Sequence, residues 1–196
     1  MANMVGNSES TMAGYSRHTR SDGQNTRSHE RLTSLRILIV DDNWFARSLL
    51  RTVLQTLGVW TLVECASPKE AFQKLEEETF DLILLDNDMP EMSGIEMTRH
   101  IRSSNVIDDP SIPIIMISSR TELEEVRQAV NAGIHEYLAK PFTADGLVKK
   151  VLAGATVYRQ FIRSSAYVGP CRRRQKLMLK SHGADRRVRT GSAMVA

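Results

Sequence analysis

The chain of 196 residues contains only two cysteines, Cys65 and Cys171, far apart and with no metal-ligand spacing around either. That usage argues against a disulfide framework and against a thiolate metal centre, and fits reduced cytosolic thiols. Long apolar runs are also missing. The longest, such as Ile37 to Val40 and Leu82 to Leu85, fall far short of the roughly 20 residues that cross a bilayer. The start of the chain lacks an apolar segment behind a basic stretch, so it does not read as a secretory signal. No membrane span and a cytoplasmic location are the resulting expectations. No internal repeat is visible, and after about Ile162 there is no helix-turn-helix pattern and no cyclase or hydrolase motif.

The hydrophobic fraction of 41% and charged fraction of 25% are those of a soluble globular protein. The net charge of +3 conceals an asymmetry. Residues 35–160 carry 13 Lys and Arg against 19 Asp and Glu, whereas residues 161–196 carry nine basic residues against Asp185 alone. The middle of the chain is acidic and its end is basic. Residues 1–34, rich in Ser, Thr, Asn and Gly, show no apolar periodicity and are expected to form a disordered leader. Residues 161–196 are expected to form a basic, disordered tail.

Between these flanks the pattern changes period repeatedly. Leu35 to Val40 is a short apolar run ending in an acidic pair, as a buried parallel strand does. Phe45, Leu49, Leu50, Val53, Leu54 and Leu57 then recur at helical spacing, with Gly58 placed to end the helix. Trp60 to Glu64 reads as a strand. Ser67 and Pro68 read as a helix cap and first residue, with the helix running to about Glu78. Asp81 to Asp86 is a strand, Ile95 to Ile101 a helix, and Ile112 to Ile117 a strand. Thr121 to Glu124 reads as a capping box. Tyr137 to Ala139 is a strand, and Thr143 caps a last helix that reaches at least Ala153 and as far as Ile162. Five strands alternating with five helices predict an α/β doubly wound parallel sheet with helices on both faces.

In such a sheet, functional groups collect at the carboxyl ends of the strands. Asp41 and Asp42 end the first strand, Asp86 the third, Ser118 the fourth, and Lys140 follows the fifth. A lone Asp there is ordinarily a turn residue or a helix cap, and a lone Lys-Pro is ordinarily a loop. Three carboxylates, a hydroxyl and an ammonium delivered in order to one edge are a different matter. Crowded carboxylates repel unless a cation neutralises them, and Mg²⁺ favours a few carboxylates with water and phosphate oxygens. Such an ion would screen an incoming phosphoryl group while a carboxylate oxygen attacks it, with Ser118 and Lys140 placed to take two of the transferred oxygens.

Four segments carry a family resemblance: Ile37 to Asn43, Asp81 to Gly94 with Met89 and Pro90, Pro113 to Ser119, and Tyr137 to Phe142. Over roughly residues 35–155, within an expected domain of residues 35–160, the sequence resembles the receiver domains of bacterial response regulators, the chemotaxis-regulator type. The resemblance implies a flavodoxin-like sheet of order 2-1-3-4-5. It implies that Asp86 accepts a phosphoryl group from a histidine kinase or phosphotransfer protein. It further implies that Asp42, Asp86 and the Asp88 backbone carbonyl bind Mg²⁺, with Asp41 reaching the ion through water. Ser118 would be the switch hydroxyl, Tyr137 the switch aromatic, and Lys140 the phosphoryl ligand, ahead of a cis bond to Pro141. Ser93 and Ser118 depart from the commoner Asp and Thr, and both keep a small polar group. The expected output is a protein-binding face formed by the fourth helix, fifth strand and fifth helix. The molecule would then be a signal transducer, not an enzyme acting on an external substrate. An alternative is a nucleic-acid-associated regulator that uses the basic tail, although no sequence-specific DNA reader is evident. The resemblance also implies that Asp88 and Arg120, two residues after Asp86 and Ser118, flank the path of water to the phosphoryl group. Their opposite charges suggest a pair across the mouth of the site; Arg120 could instead contact the phosphoryl oxygens, or both could stand apart in solvent.

Overall fold

The computed structural model describes residues 32–156, 159–164 and 167–172. Twelve elements follow in order: β1 (Arg36–Val40), α1 (Trp44–Thr56), β2 (Thr61–Cys65), α2 (Pro68–Glu77), β3 (Leu82–Asp86), α3 (Gly94–Ser103), β4 (Ile114–Ser118), α4 (Leu123–Ala132), β5 (Glu136–Ala139), α5 (Ala144–Thr156), β6 (Phe161–Arg163) and β7 (Val168–Pro170). The first five strands form one parallel sheet of order β2-β1-β3-β4-β5. The doubly wound architecture read from the sequence is therefore present, in the expected order.

The strands alternate their burial between two cores, as a period of two requires. Leu38, Val40, Ile83, Leu85, Ile114 and Met116 face one way and pack with Ala71, Leu75, Met97, Ile101 and Ala129 of α2, α3 and α4. Ile37, Ile39, Leu82, Leu84, Ile115 and Ile117 face the other way, against Leu50, Leu54, Leu147 and Val151 of α1 and α5. Each of these buried aliphatic side chains contributes about 1.5–3 kcal/mol. Because both faces are covered, polar groups with work to do are left to the ends of the strands.

The helix starts follow local chemistry. The Asn43 side chain accepts from the Phe45 and Ala46 amides, and Ser67 accepts from the Glu70 amide ahead of Pro68. Ser93 and Glu96 form a reciprocal capping box at α3. Gly58 lies just beyond α1 at φ +83°, where a β-carbon would be strained.

Several expectations need correction. The cap of α4 is Glu122, not Thr121, and no side chain caps it. The Val126 amide donates to the Glu122 carbonyl, which moves the helix start one residue on. Glu124 and Glu125 therefore fall in the first turn, where the helix dipole favours acids. Strand β2 begins at Thr61, paired with Arg36, and leaves Trp60 exposed outside it. Strand β4 begins after Pro113, which has no amide to give to a ladder. Helix α5, which spans Ala144–Thr156, does not reach Ile162, which instead pairs with Gly169 in an antiparallel ribbon, β6–β7. Part of the segment expected to be an unfolded tail is thus folded against the domain. Residues 173–196 of that tail lie outside the described residues. At the other flank, Leu32 and Leu35 are buried in the α1–α5 core, so the folded part begins earlier than residue 35. The rest of the expected leader, residues 1–31, lies outside the described residues. Among the described residues, no helix is long and apolar enough to cross a membrane. Cys65 and Cys171 are unpaired, and burial, with Glu70 adding, pushes the Cys65 thiol up to about 11.

Candidate functional site

The carboxyl ends of β1, β3, β4 and β5 converge as the doubly wound order requires. Asp41 and Asp86 are almost wholly buried there, and Ser118 completely so. The Lys140 ammonium bridges the two acids, 2.6 Å from Asp86 Oδ1 and 3.1 Å from Asp41 Oδ2. Lys140 is aimed by its backbone: its amide donates to the Ser118 carbonyl at 2.8 Å, and its bond to Pro141 is cis, as expected.

The other oxygen of each acid accepts from a local amide. Asp86 Oδ2 accepts from the Asp88 amide at 2.6 Å, and Asp41 Oδ1 from the Asn43 amide at 2.9 Å. Even so, negative charge is in excess. Burial pushes the Asp86 carboxyl above its ordinary range, Lys140 opposes that shift, and the Asp41 charge adds to it. Burial alone would lower the Lys140 ammonium, but Asp86 and Asp41 outweigh it and hold it above its usual value.

This charge balance bears on the expected ion. Asp41 and Asp86 share one ammonium, and Asp42 stands exposed beside them on the β1–α1 loop. Among the described residues, no group of three or more His, Cys, Asp or Glu side chains is arranged to hold an ion unaided. The donors available are a few carboxylates, backbone carbonyls and water. A hard cation that keeps several waters, as Mg²⁺ does, fits this set; a thiophilic ion does not.

A cavity of about 610 Å³ opens next to the acids, lined in part by Asp42, Asn87, Asp88 and Arg120. At its mouth Arg120 Nε lies 2.9 Å from Asp88 Oδ1 and Arg120 Nη1 lies 2.7 Å from Glu125 Oε1. Ser119 Oγ donates to Asp88 Oδ2 at 2.9 Å. The pairing of Asp88 with Arg120 is therefore present. Ser118 Oγ accepts from the Arg120 amide at 3.0 Å, and the Tyr137 hydroxyl donates to the Arg120 carbonyl. The two expected switch residues thus meet on the backbone of one residue, Arg120.

Some contributors were not singled out from sequence. Asn87 is buried, accepts from the Ile95 amide through its side chain, and accepts from the Gly94 amide through its carbonyl. A β-carbon on Gly94 would fall well inside contact distance of the Asp86 carbonyl oxygen, so only glycine lets α3 approach. Arg47 Nη1 donates to the Asp41 carbonyl at 2.6 Å and the Asp42 carbonyl at 3.2 Å, and pairs with Glu64. Its position one turn into α1 was a signal, since an arginine there can turn back on the preceding loop.

Comparison with known proteins agrees with this geometry. The model of the response regulator receiver domain matches residues 37–152. Chemotaxis protein CheY1 of Helicobacter pylori strain J99 is 34% identical over 118 residues, which cover 60% of this chain and 94% of that protein. Chemotaxis protein CheY of Pseudomonas aeruginosa is 31% identical, over 60% of this chain and 93% of its own. The solved structure of Vibrio cholerae CheY4 superposes with a TM-score of 0.56 at 28% identity, covering 61% of this chain and 98% of that one. The receiver domain of sensor histidine kinase PA1611 from Pseudomonas aeruginosa, solved with magnesium in its active-site cleft, does so with a TM-score of 0.54 at 28% identity, covering 62% and 96%. Sheet order, the residues at the strand ends and the matched span lead to one conclusion: the chain belongs to the response regulator receiver domain family, the signal transducers of two-component systems.

Proposed function

We propose that Asp86 is the phosphoacceptor of this receiver, charged by a histidine kinase or phosphotransfer protein in a Mg²⁺-dependent step. The observation that carries this reading is the Lys140 ammonium seated between Asp86 and Asp41 in an otherwise acidic, buried pocket. An Asp86 oxygen attacks phosphorus while the P–N bond to the donor imidazole breaks, its electron pair staying on nitrogen. The product is an aspartyl phosphate. Lys140 is placed to move its contact from the Asp86 oxygen to a phosphoryl oxygen. Asp42, Asp86 and the Asp88 carbonyl would hold Mg²⁺, with Asp41 acting through water, and the ion would neutralise charge developing on the phosphoryl group. Beside the acids, Trp44 and Phe45 are mostly exposed at the start of α1, an apolar surface suited to a donor protein.

Phosphorylation then draws Ser118 toward the new oxygens and turns Tyr137 inward, which re-forms the α4–β5–α5 face for an output protein. The basis is that both side chains bond to Arg120 on the β4–α4 loop, so one backbone segment reports on both. The alternative of a nucleic-acid regulator gains no support from the family match, and of the basic tail, residues 161–196, that would serve it, residues 173–196 are outside the described ones.

The test uses phosphoramidate, a small donor with the same P–N bond. Wild-type protein incubated with it and Mg²⁺ gains one hydroxylamine-labile phosphate that maps to the peptide containing Asp86. A label that resists hydroxylamine, or maps elsewhere, contradicts the assignment.

A further inference from the structure

The match to the receiver family ends at residue 152, yet the chain folds on through the β6–β7 ribbon. This ribbon packs on the C-terminal ends of α3 and α4, at the opposite edge of the sheet from Asp86. Contacts of the ribbon and of Arg159 just before it fall on Gly133, His135 and Glu136, in the stretch that leads from α4 into β5, and on Arg102 of α3.

The contact is backbone on backbone at its centre. A β-carbon on Gly133 would lie 2.7 Å from the Val168 carbonyl oxygen, and one on Gly169 would lie 2.8 Å from Gly133 Cα. Neither position has room to give. Beside it, Arg102 in the last turn of α3 is buried and donates to three carbonyls, of Gly133 at 3.0 Å, Pro110 at 2.6 Å and Ile112 at 2.9 Å. The Phe161 ring of β6 covers this guanidinium at 5.5 Å. Arg159, just before β6, donates to the His135 carbonyl at 3.0 Å and to Glu136 Oε1 at 2.6 Å. The other Glu136 oxygen takes Lys150 of α5 at 2.7 Å. Residue 137, next in the chain, is the switch tyrosine of the reading above.

Two features make this ribbon suited to switching and not merely to bracing. Closing it covers a guanidinium that carbonyl dipoles and one aromatic face solvate, and desolvating a charge offsets much of what the apolar contact contributes. The net stabilisation from closing the ribbon is therefore less than its contacts alone would give. In addition, α4 is a rod of 10 residues whose first turn adjoins Arg120 and whose last residue precedes Gly133. A shift of the β4–α4 loop at the site carries to the other end, about 15 Å away.

We propose that the β6–β7 ribbon is a clasp on the α4–β5 junction that favours the unphosphorylated form and is loosened when Asp86 is phosphorylated. This rests on Asp86 being the phosphoacceptor and Tyr137 the switch. Coupling of this kind is reciprocal: whatever opens the clasp must also favour the phosphorylated state.

The experiment is hydrogen exchange on the full chain with and without acetyl phosphate and Mg²⁺, with intact mass reporting the labelled fraction. Exchange in peptides covering 159–172 should rise about tenfold on labelling, a typical coupling. Gly169→Val, which pushes β7 off Gly133, should show the fast exchange without phosphate. It should also accumulate more aspartyl phosphate than wild type at subsaturating donor. Phe161→Ala provides a second, milder opening should the valine variant fail to fold. Ribbon exchange that stays unchanged in fully labelled protein overturns the proposal. So does an opened variant that labels as wild type does. If mass shows no labelling of any of the proteins, the phosphoacceptor reading has failed and the clasp falls with it.

Discussion

At the scale of single residues, the site is a problem of charge. Two buried carboxylates share one ammonium, and burial holds the Asp86 proton more tightly than an ordinary aspartate would. A group with a raised folded pKa binds more protons folded than unfolded between its two values. The contribution of this group to stability is therefore fully present below the ordinary carboxylate range and is lost as pH rises through the raised value. Asp86→Asn removes that loss. It should raise the melting temperature at pH 7, and the gain should fade at acid pH. Melting curves at several pH values check this, and a gain that grows toward acid would contradict it. The Asp88–Arg120 pair concerns rate. Both side chains are partly exposed, so solvent screens their attraction and its loss changes a rate by only about 1.4- to 5-fold. If the pair obstructs in-line water, Asp88→Asn and Arg120→Gln should each speed phosphate loss by that order. The double change should be non-additive. The competing partner Glu125 sets a limit, because Arg120 can retreat to it when Asp88 is neutral.

At the scale of elements, the question is how strand ends and loops hold these groups in register. Gly94 is the tightest point. Gly94→Ala would drive a methyl group against the Asp86 carbonyl, and overpacking of this kind costs about 1–3 kcal/mol. Thermal denaturation should show the loss, and labelling of Asp86 should slow with it. Ser118 tests a different link. Its hydroxyl accepts from the Arg120 amide, whereas the hydrogen bonds of the Lys140 ammonium go to Asp41 and Asp86. Ser118→Ala should then leave labelling largely intact while removing phosphorylation-dependent capture of an output protein. Capture that persists in labelled Ser118→Ala would count against the switch. What was legible in the sequence follows the same division. The strands and the acids that end them could be read because burial on both faces forces continuous apolar runs, and Asp41, Asp86 and Lys140 break those runs at a fixed place. The start of α4 was misread by one residue because Thr121 and Glu124 have capping-box spacing, whereas the turn is closed by the Glu122 carbonyl. Arg47 and Asn87 bond backbone groups of neighbouring segments through their side chains and Gly94 acts by having none, so only the place of Arg47 one turn into α1 left a trace in the pattern.

At the scale of the whole molecule, the acidic receiver is bounded by segments of different character. The ribbon at Phe161–Pro170 was illegible because its strands are three residues each and amphipathic only in the context of Arg102 and Gly133. No periodicity can emerge from so short a segment, and the surrounding arginines suggested solvent. The account of the molecule stands or falls on whether it takes up phosphate at one place. Intact-mass measurement after incubation with acetyl phosphate and Mg²⁺ is the most direct test. The account predicts a single added phosphate in the wild type, none in Asp86→Asn, and strong suppression when a chelator removes the ion. Labelling of Asp86→Asn at the wild-type rate would contradict it.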